Sequence, residues 1–312
     1  MNSETLISIN GVYRYYGNYC AVNNVSFTVE RGEVLGFLGL NGAGKSTTMQ
    51  IISGVLCASS GAVSIAGFDI MDAPRQAKSQ LGFLPEQPPL YHDLTVDEYL
   101  DYAARLRGIR RTNIRTAIEN SKQRCGLETV GQRLINNLSK GYQQRVGIAQ
   151  AILHAPAVII LDEPTNGLDP VQIKEIRELI KELGRDHSVI LSTHILPEVQ
   201  TICDRVLIIH EGQLVLDRQL ENINEGKQNN IINIAFRQAP SLDTLNIIEG
   251  IKHIDQISDQ QFRFELHPGS AAIDHIVRNS AASGWGLFEI IPETGSLEET
   301  FMRLTSGEKE NL

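Results

Sequence analysis

The chain of 312 residues is 42% hydrophobic and 21% charged, an ordinary globular balance with material for about two domains. Its net charge of −9 argues against nucleic acid as the main partner. Most of that acidity falls in residues 221–312, and the change in composition suggests a domain boundary near 220.

Residues 5–9 and 25–29 alternate apolar and polar, which predicts two antiparallel strands. Between them lies Tyr13-Arg-Tyr-Tyr16-Gly17. Tyr16 is either a platform for a nucleobase or a surface aromatic of a hairpin. Glu33 to Leu38 reads as a buried strand that runs into Gly39-Leu40-Asn41-Gly42-Ala43-Gly44-Lys45-Ser46, followed by a helix from Thr47 to Ser53. Two glycines five apart, then Lys and Ser, form a phosphate-binding loop. Glycines let backbone N–H groups turn inward around phosphates, where a Cβ would collide. Lys45 brings a point charge to the outer phosphates, and Ser46 offers a hydroxyl to Mg²⁺. The helix start that follows also favours an anion.

Ala62 to Ile65 and Leu81 to Leu84 read as strands, and Pro85-Glu86-Gln87-Pro88-Pro89 as a rigid loop. Thr95 with Glu98 forms a capping box for a helix over 95–107. The basic run Arg105, Arg107, Arg110, Arg111 and Arg115 is either a docking patch or a solvated helix face. Ser139 N-caps a helix that His154-Ala155-Pro156 ends, and its start is a second candidate anion site. Ala157 to Leu161 is apolar throughout, so it predicts a strand covered on both faces, in a parallel sheet. Asp162 and Glu163 follow at its C-terminal end, where ligands bind in open α/β sheets. Asp162 suits Mg²⁺; Glu163 suits a base or positioner for an attacking water. A turn at Asn166 to Pro170, a helix over 171–183 and a strand from Ser188 to Leu191 come next. That strand leads to His194, which is either structural or placed for chemistry. Arg205 to His210 and Gln213 to Leu216 form a hairpin.

These motifs agree in order and spacing with one family. Over about residues 5–218 the chain resembles the ATP-binding subunit of an ABC transporter. Gly39–Ser46 matches the Walker A motif, and Ile159-Ile-Leu-Asp162 matches Walker B, with Glu163 at the catalytic glutamate position. Leu138-Ser-Lys-Gly-Tyr142 resembles the signature motif, Gly167-Leu-Asp169 the D-loop, and His194 the switch histidine. Tyr16 falls at the adenine-stacking position. The resemblance decides for the functional readings of Tyr16 and His194. Two departures stand out. Glu86 occupies the usual Gln of the loop that senses Mg²⁺ and the membrane partner, and Gln87 follows it, so the acting side chain is open. Lys140 and Tyr142 replace the usual Gly and Gln of the signature, while Ser139 and Gly141 remain. Leu81 to Leu94 and Ser296 to Thr305 resemble the multidrug-export and gliding-motility branch.

In residues 221–305, strands over 230–236, 251–257, 261–266 and 285–291 alternate with helices over 241–248 and from Ser270. The second helix is expected to turn Ile273, Ile276 and Val277 inward. Ser296 and Glu299 form a capping box for a last helix burying Leu297, Phe301 and Leu304. The order resembles a ferredoxin-like module, read as a regulatory or dimer-stabilising appendage, and 306–312 as a disordered tail.

Cys20, Cys57, Cys125 and Cys203 lack metal-ligand spacing and read as reduced thiols of a cytosolic protein. No signal peptide pattern opens the chain, and no run approaches the ~18 apolar residues of a membrane span. The expected fold is therefore an α/β P-loop ATPase with a mixed sheet core, an antiparallel β subdomain and a helical subdomain. A small ferredoxin-like α/β domain follows. The resemblance implies a cytoplasmic ATPase that binds ATP and Mg²⁺, acts as a homodimer and attaches to the membrane through a permease. Lys45 and residues 39–47 would hold the phosphates, Thr47 included. Ser46 and Asp162, with Glu86 or Gln87, would serve the metal. Glu163 and His194 would act at the γ-phosphate, and Ser139, Gly141 and Asp169 would complete the site from a second copy.

Overall fold

The computed structural model describes residues 4–220, 231–267, 270–292, 297, 301 and 302. Two compact units divide the chain, Met1–Leu220 and Glu221–Leu312.

In the first unit, β1 (Thr5–Tyr16) and β2 (Tyr19–Glu30) pair antiparallel. They run further than strict alternation predicts, because irregular register around residues 9–12 lets pairing resume beyond Gly11. With β4 (Ser60–Ile65) and β5 (Phe68–Asp69) they make an antiparallel sheet in the order β2-β1-β4-β5. The larger sheet uses β3 (Val34–Leu38), β6 (Leu81–Leu84), β7 (Val158–Asp162), β8 (Ser188–Thr193), β9 (Arg205–His210) and β10 (Gln213–Gln219). Its order is β10-β9-β3-β8-β7-β6, parallel except for β10 at the edge. Every residue of β3, β7 and β8 is buried, as central strands covered on both faces require, including the polar Asp162 of β7 and Ser188, Ser192 and Thr193 of β8. One apolar layer joins the two sheets. Ile7, Val25 and Val63 meet Phe37, Ile160 and Ile190 there, with Met49 and Ile52 of α1 (Lys45–Ile52).

The helical part comprises α2 (Pro74–Ser79), α3 (Val96–Leu106), α4 (Ile114–Cys125) and α5 (Lys140–Ile152). The Thr95–Glu98 capping box forms in full: each side chain bonds the other's backbone N–H. Ala103, Ala104, Ile114 and Leu153 close a small core. Two arginines of the basic run are neutralised on their own helices and a third is drawn inward. Arg105 pairs with Asp101 and Arg115 with Glu119, each one helical turn away, and Arg107 turns inward to the carbonyls of Lys78 and Leu81. Helices α6 (Pro170–Leu183) and α7 (Leu196–Ile202) complete the unit.

The second unit orders β11 (Ile231–Phe236), α8 (Leu242–Asn246), β12 (Ile251–Gln256), β13 (Gln261–Leu266), α9 (Ala272–Ser283) and β14 (Leu287–Pro292). All pairings are antiparallel in the order β12-β13-β11-β14. Strand β13 thus splits β11 from β12, the plan of a ferredoxin-like module. Phe236, Phe264, Ile276 and Trp285 form the core, Trp285 edge-on to Phe236. Two expectations are corrected. Ser270 does not cap α9: its hydroxyl donates to the Gly250 carbonyl, and Ala271 stands at the N-cap without a side-chain bond. Ile273 and Val277 face outward, while the small Ala272 and Ser280 flank Ile276 on the buried side. The capping box at Ser296 and the tail 306–312 lie outside the described residues, as does Leu304; Leu297 and Phe301 are buried.

Candidate functional site

The site is a consequence of sheet order. Strands β3, β8 and β7 lie side by side and end in register, with Leu38 beside Thr193 and Asp162 beside Ser192. The loop after β3, the acid pair ending β7 and His194 after β8 therefore meet at one edge. Strand β6 ends in register with β7, Leu84 beside Leu161, and brings Glu86 to the same edge.

The loop needs its glycines. Gly44 has φ +105°, and a Cβ there would lie 2.5 Å from the Ala21 carbonyl oxygen. A Cβ on Gly39 would lie 2.6 Å from the Ile209 oxygen, which shows how closely the loop passes β9. Ala43 packs into the core between the sheets, and Leu40 points outward with about two-fifths of its surface exposed. The buried Lys45 turns back over the loop. Its Nζ donates to the carbonyls of Gly39 at 2.9 Å and Leu40 at 3.3 Å, and lies 3.1 Å from Glu163 Oε1. That last contact is an ion pair without hydrogen-bond alignment, since Oε1 has no hydrogen-bond donor. The other carboxylate oxygen, Oε2, lies 2.8 Å from His194 Nδ1.

Glu163 adopts φ +49°, a left-handed conformation rare outside glycine, and its N–H donates to the Ser192 carbonyl at 2.9 Å. Strain of this kind costs roughly 1–3 kcal/mol and concentrates at functional sites. Asp162 is buried, and its Oδ1 has no hydrogen-bond partner. Burial pushes its carboxyl pKa up. The hydroxyls of Ser192 and Ser46 oppose the rise, and the nearby charges of Glu163 and Glu86 add to it. An orphaned buried carboxylate oxygen beside a serine hydroxyl fits a divalent cation, whose charge would relieve that cost. Among the described residues no cluster of three or more His, Cys, Asp or Glu could hold a metal by itself. Mg²⁺ does not require one, because it takes few protein ligands together with phosphate oxygens and water.

A cavity of about 550 Å³ opens over this edge, lined by Asn41, Gly42, Gly44, Lys45, Ser46 and Thr47, with Glu86, Glu163 and His194 beyond them. Tyr16 stands at its mouth, half exposed, with the Arg14 guanidinium 4.7 Å from its ring centroid. Tyr19, Ala21 and Asn166 also line the cavity and were not singled out from sequence. Tyr19 pairs directly with Tyr16 across the hairpin, so the two-residue turn at Gly17-Asn18 was the available signal. Asn166 Nδ2 donates to Glu86 Oε1 at 3.0 Å. Glu86 lines the cavity and Gln87 does not.

Ser139, Gly141 and Asp169 are not brought to this cavity. They line a separate one of about 720 Å³ with Tyr142, Gln172 and Glu175. Ser139 caps α5, accepting the Tyr142 N–H, and Asp169 caps α6, accepting the N–H groups of Val171 and Gln172. The start of α5 therefore presents unpaired backbone donors beside a hydroxyl, a half-site for an anion.

Among the described residues no helix is long and apolar enough to cross a membrane. The family model for ABC transporters matches residues 22–166. An uncharacterized ABC transporter ATP-binding protein of Bacillus subtilis, YdbJ, is 33% identical over 99% of this chain and 98% of its own length. The bacitracin transport ATP-binding protein BcrA of Bacillus licheniformis is 32% identical over 97% and 98%. Among solved structures, an ATP-binding subunit of an ABC transporter superposes with a TM-score of 0.64 at 34% identity, covering 70% of this chain and 92% of its own. Matched along almost its whole length by such relatives, the chain belongs to the ABC transporter ATP-binding proteins, and the family match falls within its first unit.

Proposed function

We propose that this chain energises export through a separate membrane permease, as a cytoplasmic homodimer that closes on ATP and opens after hydrolysis. The observation that carries this reading is the separation of the two half-sites. Lys45, Ser46, Glu163 and His194 share one cavity, with Asp162 buried beside the Ser46 hydroxyl, and Ser139 with Gly141 lines another. A head-to-tail pair of cassettes would set the α5 N-terminus of one copy against the phosphate loop of the other.

The loop N–H groups and Lys45 hold the phosphates, and Tyr16 supports the adenine. Ser46 and Asp162 would hold Mg²⁺, which supplies charge neutralisation at the β- and γ-phosphates. Glu163 orients and deprotonates the attacking water, and His194 holds both Glu163 and the γ-phosphate. Ser139 and Gly141 of the second copy close the pocket on the γ-phosphate, with Asp169 at the same seam. Glu86, held by Asn166, takes the sensing position in place of Gln87. Catalysis is then positioning and charge stabilisation. The relative BcrA, a bacitracin transport ATP-binding protein, supports a transport role. The second unit serves as an accessory module that regulates or steadies the dimer.

The test is Glu163→Gln. Turnover should collapse while ATP-bound dimers accumulate; unchanged turnover would sink the assignment. A pulldown from detergent-solubilised membranes should bring down a polytopic membrane protein. Recovery of ribosomal proteins or DNA in its place would support a non-transporter ABC ATPase.

A further inference from the structure

The turn that carries His194 is tied to a buried charge pair outside the cavity. Thr193 ends β8 and is fully buried. Its hydroxyl accepts the Ile195 N–H at 3.0 Å and donates to Glu198 Oε2 at 2.9 Å. The first bond spans His194 and fixes the backbone on both sides of it. The second fixes the hydroxyl's own orientation. Glu198 lies in the first turn of α7 with no exposed surface, and Arg177 of α6 reaches its Oε1 at 3.3 Å. A carboxylate removed from water needs both a charge partner and donors, and removing one of them is costly. Glu198 has both.

Helix capping does not explain Glu198. The N-cap residue Ile195 has no side-chain cap bond, and the Glu198 oxygens are spent on Thr193 and Arg177. The connected path is Arg177, Glu198, Thr193, the Ile195 amide, then His194, whose Nδ1 meets Glu163 Oε2 at 2.8 Å. The phosphate loop meets this path at two points, the Gly39 N–H, which donates to the Thr193 carbonyl at 3.3 Å, and Lys45 Nζ, 3.1 Å from Glu163 Oε1, and neither uses the Thr193 hydroxyl or Glu198.

We propose that Thr193 and Glu198 are positioning residues for hydrolysis, holding the His194 peptide so that its imidazole stays within hydrogen-bond reach of Glu163. The proposal rests on the roles given above to His194 and Glu163. It assigns the network to the chemical step and not to nucleotide capture, because the side-chain bonds of Thr193 and Glu198 bear on the His194 turn, while the contact to Gly39 is made by the Thr193 backbone, which Thr193→Val keeps.

The experiment compares Thr193→Val, Thr193→Ser, Glu198→Gln and His194→Ala in the full chain, with the double variant Thr193→Val/His194→Ala. Each is checked by circular dichroism for folding and assayed for kcat, KM and ATP affinity. Thr193→Val removes the hydroxyl at nearly constant shape. It should lower kcat roughly ten- to a hundredfold, the scale of an ångström-sized misplacement, with KM and ATP affinity within about twofold of the native values. Thr193→Ser should restore most of the rate, and Glu198→Gln should fall between. In the His194→Ala background, Thr193→Val should cost nothing further. Unchanged kcat in both Thr193→Val and Glu198→Gln would overturn the proposal, as would a loss that multiplies with that of His194→Ala. Glu198→Gln keeps the test open if Thr193→Val does not fold. Normal turnover by His194→Ala would remove the assigned role of His194, and the positioning proposal with it. A deficit in His194→Ala alone would overturn the proposal and leave the His194 reading intact.

Discussion

Acid should weaken the first unit through His154, which follows α5. Its Nε2 lies 3.2 Å from the Leu81 carbonyl oxygen, so the neutral ring donates there, and its Nδ1 is buried without a partner. Burial, chiefly, and the Arg107 cation drive its pKa from 6.5 down to about 4. Above pH 6.5 the ring is neutral folded or unfolded and contributes no pH dependence. Between 6.5 and 4 the unfolded chain takes up a proton that the folded chain refuses, so stability falls as pH falls. Linkage puts the loss at about 2 kcal/mol by pH 5 and about 3 kcal/mol by pH 4. The assay is urea unfolding of the native chain and of His154→Gln at several pH values. It should be followed by far-ultraviolet circular dichroism, because the single tryptophan, Trp285, lies in the second unit and would report on it. Comparison with His154→Gln removes what other groups, such as the buried His187, contribute. The stability difference should move by these amounts towards the variant as pH falls. A difference that stays flat from pH 7 to 4, or moves towards the native chain, would refute the reasoning.

Tyr16→Ala should weaken ATP binding by roughly 1–3 kcal/mol, the worth of one base–aromatic stack, as measured by calorimetry, and Tyr16→Phe should bind almost normally. Gly44→Ala forces a side chain into φ +105° and to 2.5 Å from the Ala21 carbonyl oxygen, so ATP binding should be lost with the loop's conformation. Thr95→Ala removes half of the capping box at α3 and should cost about 1 kcal/mol in urea unfolding, with no change in ATP affinity.

What was legible in the sequence was what neighbouring residues determine. The phosphate loop, the capping box at Thr95 and the buried strand ending at Asp162 each rest on a few consecutive residues. The sheet then gathers them, because parallel strands that end in register put their C-terminal loops side by side. Features that depend on distant partners did not show. Tyr19 and Ala21 enter the cavity through hairpin register, and Asn166 through its bond to Glu86, eighty positions earlier. Ser270 has the look of an N-cap, but its hydroxyl is claimed by Gly250 from another part of the module. On α9 the larger apolar side chains suggested the buried stripe, while close packing selects Ala272 and Ser280 beside Ile276. Glu86 and Gln87 are adjacent and chemically similar, and only the loop's path decides which one faces the cavity.

The central claim is that each ATP is enclosed by two copies, and mixing two defective chains tests it most directly. Lys45→Ala spoils the phosphate loop, and Ser139→Arg spoils the opposing wall; each variant alone should be inactive. In a mixed dimer one pocket receives both defects and the other receives neither. Mixing equal amounts should therefore restore turnover, to about a quarter of the native rate if pairing is random and the sites act independently. A mixture no more active than the separate variants would contradict the shared pocket.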